Sequence, residues 1–146
     1  MEHVADTDAA LRTMASILKP NGRALIFVPS RNAVFARINL LLPEELKRRI
    51  LFAVYPHMAR DQGFPAYYDH CTPAALRARA LGNGLSIEHA PLYYISTYFQ
   101  FFFPLYLAWR AWLLAFYAID KEQAAETFAL VLKKAQSITP APPGIG

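Results

Sequence analysis

The first clear pattern of apolar and polar positions predicts a helix near the N-terminus. Its apolar residues recur at spacings of three and four and therefore share one face: Leu11, Met14, Ala15 and Leu18. Asp6 or Thr7 can cap the start, because a short polar side chain accepts hydrogen bonds from the free amides of a first turn. The Lys19-Pro20-Asn21-Gly22 segment ends the helix, since proline cannot continue the hydrogen-bond ladder and Asn-Gly favours a turn.

Three further apolar stretches predict strands, at residues 23–29, 85–92 and 127–133. The first contains the unbroken run Ala24-Leu25-Ile26-Phe27-Val28, which is typical of a strand buried on both faces in a parallel sheet. The second places Leu85, Ile87 and His89 on one face. The third is dense in β-forming residues and ends at two lysines.

Between the first two strands the pattern predicts helices and a long loop. Residues 33–54 favour one or two helices, broken near Leu42-Pro43, and a further helix begins at Thr72-Pro73 and closes at Gly82-Asn83-Gly84. Residues 55–71 form an irregular stretch rich in polar aromatic side chains, and long ordered loops of this kind are often functional. Residues 136–146, with three prolines and two glycines, are expected to be a disordered tail after a domain of residues 1–135.

Residues 98–119 are almost entirely apolar and long enough, at about 20 residues, for a membrane-spanning helix. Arg110 in the middle makes insertion marginal, because a central arginine costs roughly 2.5–3.5 kcal/mol on insertion scales. The alternatives are a helix packed on the sheet or one that lies at a membrane surface. We favour a packed or interfacial helix over a membrane span.

Charge and cysteine content limit the partners and the cellular compartment that this chain can have. The formal net charge is +4, and residues 23–60 hold seven cations against two anions, which suits either a solvated helix face or an anionic partner. No nucleic-acid motif accompanies these cations, so we expect no nucleic-acid partner. A single cysteine, Cys71, allows no internal disulfide and indicates a reducing compartment. The polar start at residues 1–6 predicts no signal peptide, and no metal-ligand, triad or Walker spacing occurs.

The ordered set of segments resembles the C-terminal half of class I S-adenosylmethionine-dependent methyltransferases. Met1-Glu2-His3-Val4-Ala5-Asp6, the first helix and Ile17-Leu18-Lys19-Pro20-Asn21-Gly22-Arg23 are similar to the segment that leads into the fifth strand of that family. Asn21 departs from the usual glycine, but asparagine tolerates the same left-handed conformation. The resemblance covers residues 1–134.

This resemblance implies an α/β fold, the C-terminal part of a Rossmann-like methyltransferase sheet. Residues 23–29 would be the fifth strand, 85–92 the sixth, and 127–133 an antiparallel seventh strand between them, with the apolar segment 98–119 as an inserted helix. The family holds S-adenosylmethionine with a Gly-x-Gly-x-Gly turn that this sequence lacks. Gly82-Asn83-Gly84 has part of the spacing but follows a helix. We therefore expect a partial domain that is inactive as this chain alone.

The resemblance also suggests site residues. Glu2 and His3 would lie close to cofactor and substrate, with His3 either a general base or a loop-stabilising side chain. Arg31 and Asn32 follow the predicted fifth strand and would face the substrate, or form an ordinary turn. His57, Tyr67 and Tyr68 could close over a substrate, or pack on the surface. Cys71 has no base nearby in sequence and is expected to be inert.

Two functions remain open on the sequence. The first is a methyltransferase acting on a small hydrophobic or amphiphilic molecule, and the second is a non-enzymatic membrane-associated or partner-binding protein anchored by residues 98–119. Both functions suit a cytoplasmic protein. If the apolar segment contacts a membrane, the protein would be peripheral to that membrane. A sheet that lacks its fourth strand would leave the fifth with a bare edge, so we expect self-association or pairing with a complementing N-terminal half.

Overall fold

The computed structural model describes residues 1–43, 45–47, 49, 66–95, 99–100 and 102–134. They form a mixed α/β structure with a small, open, antiparallel sheet of four strands. The helices are α1 (Thr7–Ile17), α2 (Val34–Leu41), α3 (Pro73–Gly82) and α4 (Phe103–Ile119), and the strands are β1 (Arg23–Pro29), β2 (Leu85–His89), β3 (Leu92–Tyr93) and β4 (Thr127–Lys134). The α/β class and the positions of the first and last predicted strands are therefore confirmed.

The last strand, β4, lies between the two strands that precede it in the chain. The order is β1-β4-β2, with β3 also paired to β4, and every pairing is antiparallel. The β1–β4 register is continuous from Arg23 opposite Lys133 to Pro29 opposite Thr127. The predicted placement of an antiparallel final strand between the other two is thus confirmed.

The prediction that β1 is buried on both faces was wrong. Ile26 and Val28 are buried, whereas Leu25 and Phe27 on the opposite face are 69% and 66% exposed. The physical reason is one-sided packing: the core next to β1 is made by Leu11 of α1 and by residues of α3, which cover a single face. Among the described strands β1 pairs only antiparallel, with β4, so the expected parallel sheet is not what surrounds it.

The predicted strand 85–92 is two strands rather than one. Pairing is irregular between Ile87 and His89, and the chain leaves the ladder at Ala90-Pro91 before β3 begins. Proline has no amide hydrogen to donate, so a strand breaks there readily. The Pro91 carbonyl nevertheless accepts a hydrogen bond of 3.0 Å from the amide of Ala129, which keeps both pieces beside β4.

The predicted helix boundaries around α1 and α3 follow from their caps. Asp6 accepts a hydrogen bond of 2.8 Å from the amide of Ala9, and Thr72 accepts one of 3.3 Å from Ala75. After α1, Asn21 has φ 62°, which confirms the left-handed turn. A Cβ on Gly22 would come within 2.7 Å of the Lys19 carbonyl oxygen, so this tight turn requires glycine.

The remaining predictions concern the middle and the end of the chain. Helix α2 ends at Leu41, and residues 45–47 and 49 are helical again, so the break at Leu42-Pro43 is confirmed. In the apolar segment 98–119, the helix itself spans Phe103–Ile119, and Pro104 occupies its first turn. No helix among the described residues is both long and apolar enough to cross a membrane. His57 and residues 136–146 lie outside the described residues.

Candidate functional site

The turn at the carboxyl end of β1 is hydrogen-bonded to two parts of the chain that are distant in sequence. The amide of Ser30 donates a hydrogen bond of 2.8 Å to the carbonyl of Glu126, which precedes β4. The next amide, that of Arg31, donates one of 2.6 Å to the carbonyl of Cys71, which precedes α3. Because the two bonds lie on consecutive residues, the turn after β1 is held between the start of β4 and the loop that leads into α3.

The N-terminal segment joins the same loop. The carbonyl of Glu2 accepts hydrogen bonds from the amides of Tyr67, at 2.8 Å, and Tyr68, at 3.1 Å. The structure therefore brings together predicted site residues that are far apart in sequence: Glu2 and His3 lie beside Tyr67 and Tyr68, and Arg31 reaches this loop through Cys71. We call this arrangement, residues 1–3, 30–32 and 67–71, the β1-end cluster.

The two tyrosines of the cluster have different surroundings. Tyr67 is about half exposed, whereas the Tyr68 side chain is buried in the main core. Tyr68 and His70 have φ values of 50° and 49°, in the left-handed region that bulky residues rarely occupy. Backbone strain of this kind persists only where surrounding contacts enforce it, and it is commonly found at functional loops.

Asp69 and Thr7 supply those enforcing contacts. The Asp69 carboxylate accepts a hydrogen bond of 2.9 Å from the amide of Thr7, and the Thr7 hydroxyl donates one of 2.5 Å to the Asp69 carbonyl. The hydrogen bond from the Thr7 amide lowers the pKa of Asp69 below its ordinary value. The reciprocal pair fixes the strained loop to the first turn of α1.

The polar side chains of the cluster form short pairs at its surface. Nε2 of His3 lies 3.3 Å from Oε1 of Glu2, and Nε2 of His70 lies 3.5 Å from Oδ1 of Asp69 and 3.1 Å from a guanidinium nitrogen of Arg79. Each imidazole therefore lies beside a carboxylate, and the proton-accepting role of His3 stays a prediction.

Asn32 links two segments of the chain, and the Cys71 side chain is buried. The Asn32 side-chain amide donates a hydrogen bond of 2.8 Å to Oε1 of Gln123, so it links the turn after β1 to the segment between α4 and β4. Cys71 is fully buried, and burial raises the pKa of its thiol to about 11. The thiol is therefore protonated at neutral pH, in agreement with the expectation that Cys71 is inert.

Sequence reasoning missed Glu126, the most deeply buried carboxylate of the described residues. Its side chain is 3% exposed, and Oε1 accepts a hydrogen bond of 3.3 Å from Nε1 of Trp109, while Oε2 has no hydrogen-bond partner among the described residues. Burial raises the pKa of Glu126, and the Trp109 indole and the Val34 amide at the start of α2 offset part of that rise. The available signal was its position, an acidic residue directly before an apolar strand.

The exposed face of the sheet holds a second feature, an open groove of about 590 Å³. It is lined by apolar and aromatic side chains and one threonine: Phe27, Leu92, Tyr93, Tyr94, Ile95 and Thr127. The Phe27 and Tyr93 rings meet edge to face at 5.9 Å, and Tyr94 meets Tyr117 of α4 at 5.0 Å. The groove could accommodate an apolar or aromatic group, and it reaches from β1 towards α4.

The described residues do not fit the cofactor that the resemblance implies. Gly82 ends α3, and Gly84, with φ 75°, leads into β2, so this Gly-x-Gly turn closes a helix instead of following a strand. A phosphate- or nucleotide-binding turn instead presents free amides at the start of a helix. In the described ranges, no group of three or more His, Cys, Asp or Glu residues could hold a metal ion.

Neither a protein-family model nor a curated protein matches this sequence.

Proposed function

We propose that this chain is the substrate-side part of an S-adenosylmethionine-dependent methyltransferase domain, with a cofactor-binding part outside these residues. The observation that most supports the proposal is the strand order, with antiparallel β4 between β1 and β2. The family resemblance implies that same arrangement from the sequence. The Lys19-Pro20-Asn21-Gly22 turn directly before β1 supports the same assignment.

The β1-end cluster is the proposed substrate site. In the mostly parallel sheet that the resemblance implies, ligands bind beyond the carboxyl ends of the strands, and Glu2, His3, Arg31 and Tyr67 lie at that end of β1. In methyl transfer the protein chiefly aligns a nucleophile with the methyl donor and accepts its proton where needed. His3 would take that proton, and Arg31 and Tyr67 would contact the substrate. The aromatic groove and α4 favour a small hydrophobic or amphiphilic substrate.

The test is to read the DNA upstream of Met1 and to measure cofactor binding by this chain. We expect an in-frame strand followed by a Gly-x-Gly-x-Gly turn upstream, and no heat of binding when S-adenosylmethionine is titrated into the purified chain. A longer protein that includes both parts should transfer methyl groups, and its His3→Ala variant should lose roughly 10²–10⁴-fold in kcat. Absence of the upstream turn would count against the proposal.

A second candidate function rests on α4, whose outward surface is apolar without interruption. Its exposed side chains include Phe103, Leu107, Trp112, Leu114 and Ile119. Arg110, the only charged residue of α4, donates a hydrogen bond of 3.2 Å to the Tyr94 carbonyl and lies 5.5 Å from the Trp109 ring, so its charge is on the packed side. Such a surface suits a membrane interface or an apolar partner.

Vesicle binding distinguishes this second function. If α4 lies in a membrane interface, the chain floats with phosphatidylcholine–phosphatidylserine vesicles, and Leu114→Glu abolishes the flotation. Leu81→Glu, an equally exposed change on α3, serves as the control and should leave flotation intact. A chain that stays in the unbound fraction excludes the membrane surface and leaves the methyltransferase proposal unaffected.

A further inference from the structure

The outer edge of β1 carries backbone groups that point away from the sheet. The amide of Ser30 bonds to Glu126, and the carbonyl of Gly22 accepts a hydrogen bond from Lys134, so the even-numbered positions between them face β4. Neighbouring residues in a strand point their backbone groups in opposite directions. Arg23, Leu25 and Phe27 therefore direct theirs to the other side, where no strand of the described part of the chain is paired.

This edge has few of the features that keep strand edges from pairing. Its register with β4 runs through all seven residues without a bulge, and its outward face carries Leu25 and Phe27, both about two-thirds exposed. The one charge on β1, Arg23, is held in a double hydrogen bond to Glu88, at 2.6 Å for each of two nitrogens. A regular, apolar edge without lysine or an inward charge is a template for another strand.

We infer that a second copy of this chain pairs its β1 with this edge, antiparallel, about a two-fold axis at Ile26. The inference concerns this chain by itself and goes beyond the proposed methyl transfer. In a longer protein with the proposed cofactor-binding part, a strand of that part would pair with this edge in place of the second copy. Because Ile26 is the midpoint of Arg23–Pro29, pairing about it uses the whole strand. Leu25 then lies opposite the partner's Phe27, and Arg23 lies opposite the partner's Pro29.

Side-chain chemistry selects a second copy and this register. Aromatic and aliphatic side chains stabilise a sheet when they lie directly opposite each other, and the two-fold axis makes the Leu25–Phe27 pair twice. A shift that centres on Leu25 would place Phe27 opposite the partner's Arg23, and a shift that centres on Arg23 would oppose two guanidinium groups. The missing amide of Pro29 costs little, because it falls at the end of the paired stretch.

The first test uses the unmodified chain over a range of concentrations. Sedimentation measures its oligomeric state, and hydrogen exchange measures the protection of its amides. We expect a dimer in which the amides of Leu25 and Phe27 become protected as concentration rises. The amides of Ile26 and Val28 bond to β4 and should be protected at every concentration, which reports on the fold itself. A chain that remains monomeric, or a dimer whose Leu25 and Phe27 amides stay unprotected, would overturn the inference.

Charge substitutions test the register. In Leu25→Lys/Phe27→Lys, each lysine faces a lysine of the partner, and the dissociation constant of the dimer should rise at least about tenfold. In Leu25→Lys/Phe27→Glu, each lysine faces a glutamate, and dimerisation should be restored to a large extent. Ile17→Lys/Leu81→Lys, at exposed apolar positions of α1 and α3, is the matched control and should dimerise like the unmodified chain.

Two results with the charge variants contradict the inference. A Lys/Lys variant that dimerises as well as the control shows that the interface lies elsewhere, for example at α4. A Lys/Glu variant that is folded, with protected Ile26 and Val28 amides, but no more dimeric than Lys/Lys excludes this register.

Discussion

Nε1 of Trp109 donates a hydrogen bond of 3.3 Å to Oε1 of Glu126, and this bond joins the middle of α4 to the residue before β4. Trp109 and Glu126 are both buried, each 3% exposed. The backbone of Glu126 also bonds to Ser30 and Tyr93, so one residue connects α4, the end of β1 and the end of β3. The apolar helix is thus attached to the sheet through a buried polar pair.

Replacing Glu126 with glutamine should remove a pH dependence of stability. Because burial raises the folded-state pKa of Glu126, the folded chain retains this proton more strongly than the unfolded chain. The free energy of unfolding should therefore fall as pH rises from the ordinary glutamate pKa to the raised one, by about 1.4 kcal/mol for each pH unit between them. Urea unfolding from about pH 4 to about pH 8 measures this fall, and Glu126→Gln should flatten it.

A control for that measurement is Glu45→Gln, a change at an exposed glutamate in the helical stretch after Pro43, which should leave the pH dependence as it is. The opposite result is that the unmodified chain becomes more stable as pH rises and that Glu126→Gln removes this gain. In that case the direction assigned to the pKa of Glu126 is wrong.

Trp109→Phe should destabilise the chain by about 1–3 kcal/mol, because it removes the indole donor of the buried Glu126 carboxylate. Trp112→Phe is the matched control: Trp112 is half exposed on the same helix and should change stability by less than about 0.5 kcal/mol. Equal effects of the two changes in urea unfolding would show that the buried hydrogen bond contributes nothing measurable.

Asp69→Asn should weaken the attachment of the strained loop to α1. The Thr7 amide lowers the pKa of Asp69, so the contribution of this carboxylate to stability is present above the ordinary aspartate pKa and lost as pH falls through the lowered one. We expect faster hydrogen exchange at the Tyr67 and Tyr68 amides in the variant at neutral pH. Asp120→Asn, an exposed change after α4, should leave those two amides protected.

Gly22→Ala and Gly82→Ala should have opposite effects. A Cβ at Gly22 would approach the Lys19 carbonyl oxygen to 2.7 Å, so alanine there should cost on the order of 1–3 kcal/mol. A Cβ at Gly82 meets nothing within 4 Å, and Gly82 ends α3 with helical geometry, so alanine should be neutral or stabilise by up to about 1 kcal/mol. Similar melting temperatures for the two variants would refute the assignment of the Gly22 turn.

Cys71 should react slowly with thiol reagents in the folded chain. Its thiol is buried and has a pKa raised to about 11, so little thiolate exists at neutral pH. Iodoacetamide labelling, followed by mass spectrometry, should become fast only in urea. Rapid labelling without denaturant would show that the loop before α3 opens readily.

Local chemistry made part of this fold predictable. The caps Asp6 and Thr72, the turn at Asn21-Gly22 and the bounds of β1 depend on a few neighbouring residues, and the structure has them where the sequence indicated. The strand order was reached through the family resemblance. The contact between Glu2 and Tyr67 was not predicted, because no local pattern links residues so far apart.

What could not be predicted depends on what surrounds an element. The apolar run at residues 24–28 has the same composition whether one face or both faces of the strand are covered. The sequence therefore did not indicate that Leu25 and Phe27 are exposed. Glu126 was overlooked because an acidic residue in a polar linker is normally solvated, and only the packing of Trp109 from α4 removes it from water.

The central position of β4 has a consequence for the order in which the chain can fold. Within the described residues, β1, β2 and β3 each pair with β4 and none pairs with another of the three. During synthesis, the helices α1 and α3 can form as they leave the ribosome, but β1, β2 and β3 have no partner among the described strands until Thr127–Lys134 emerges. The sheet must then close over long sequence separations, which makes its assembly a late and comparatively slow step.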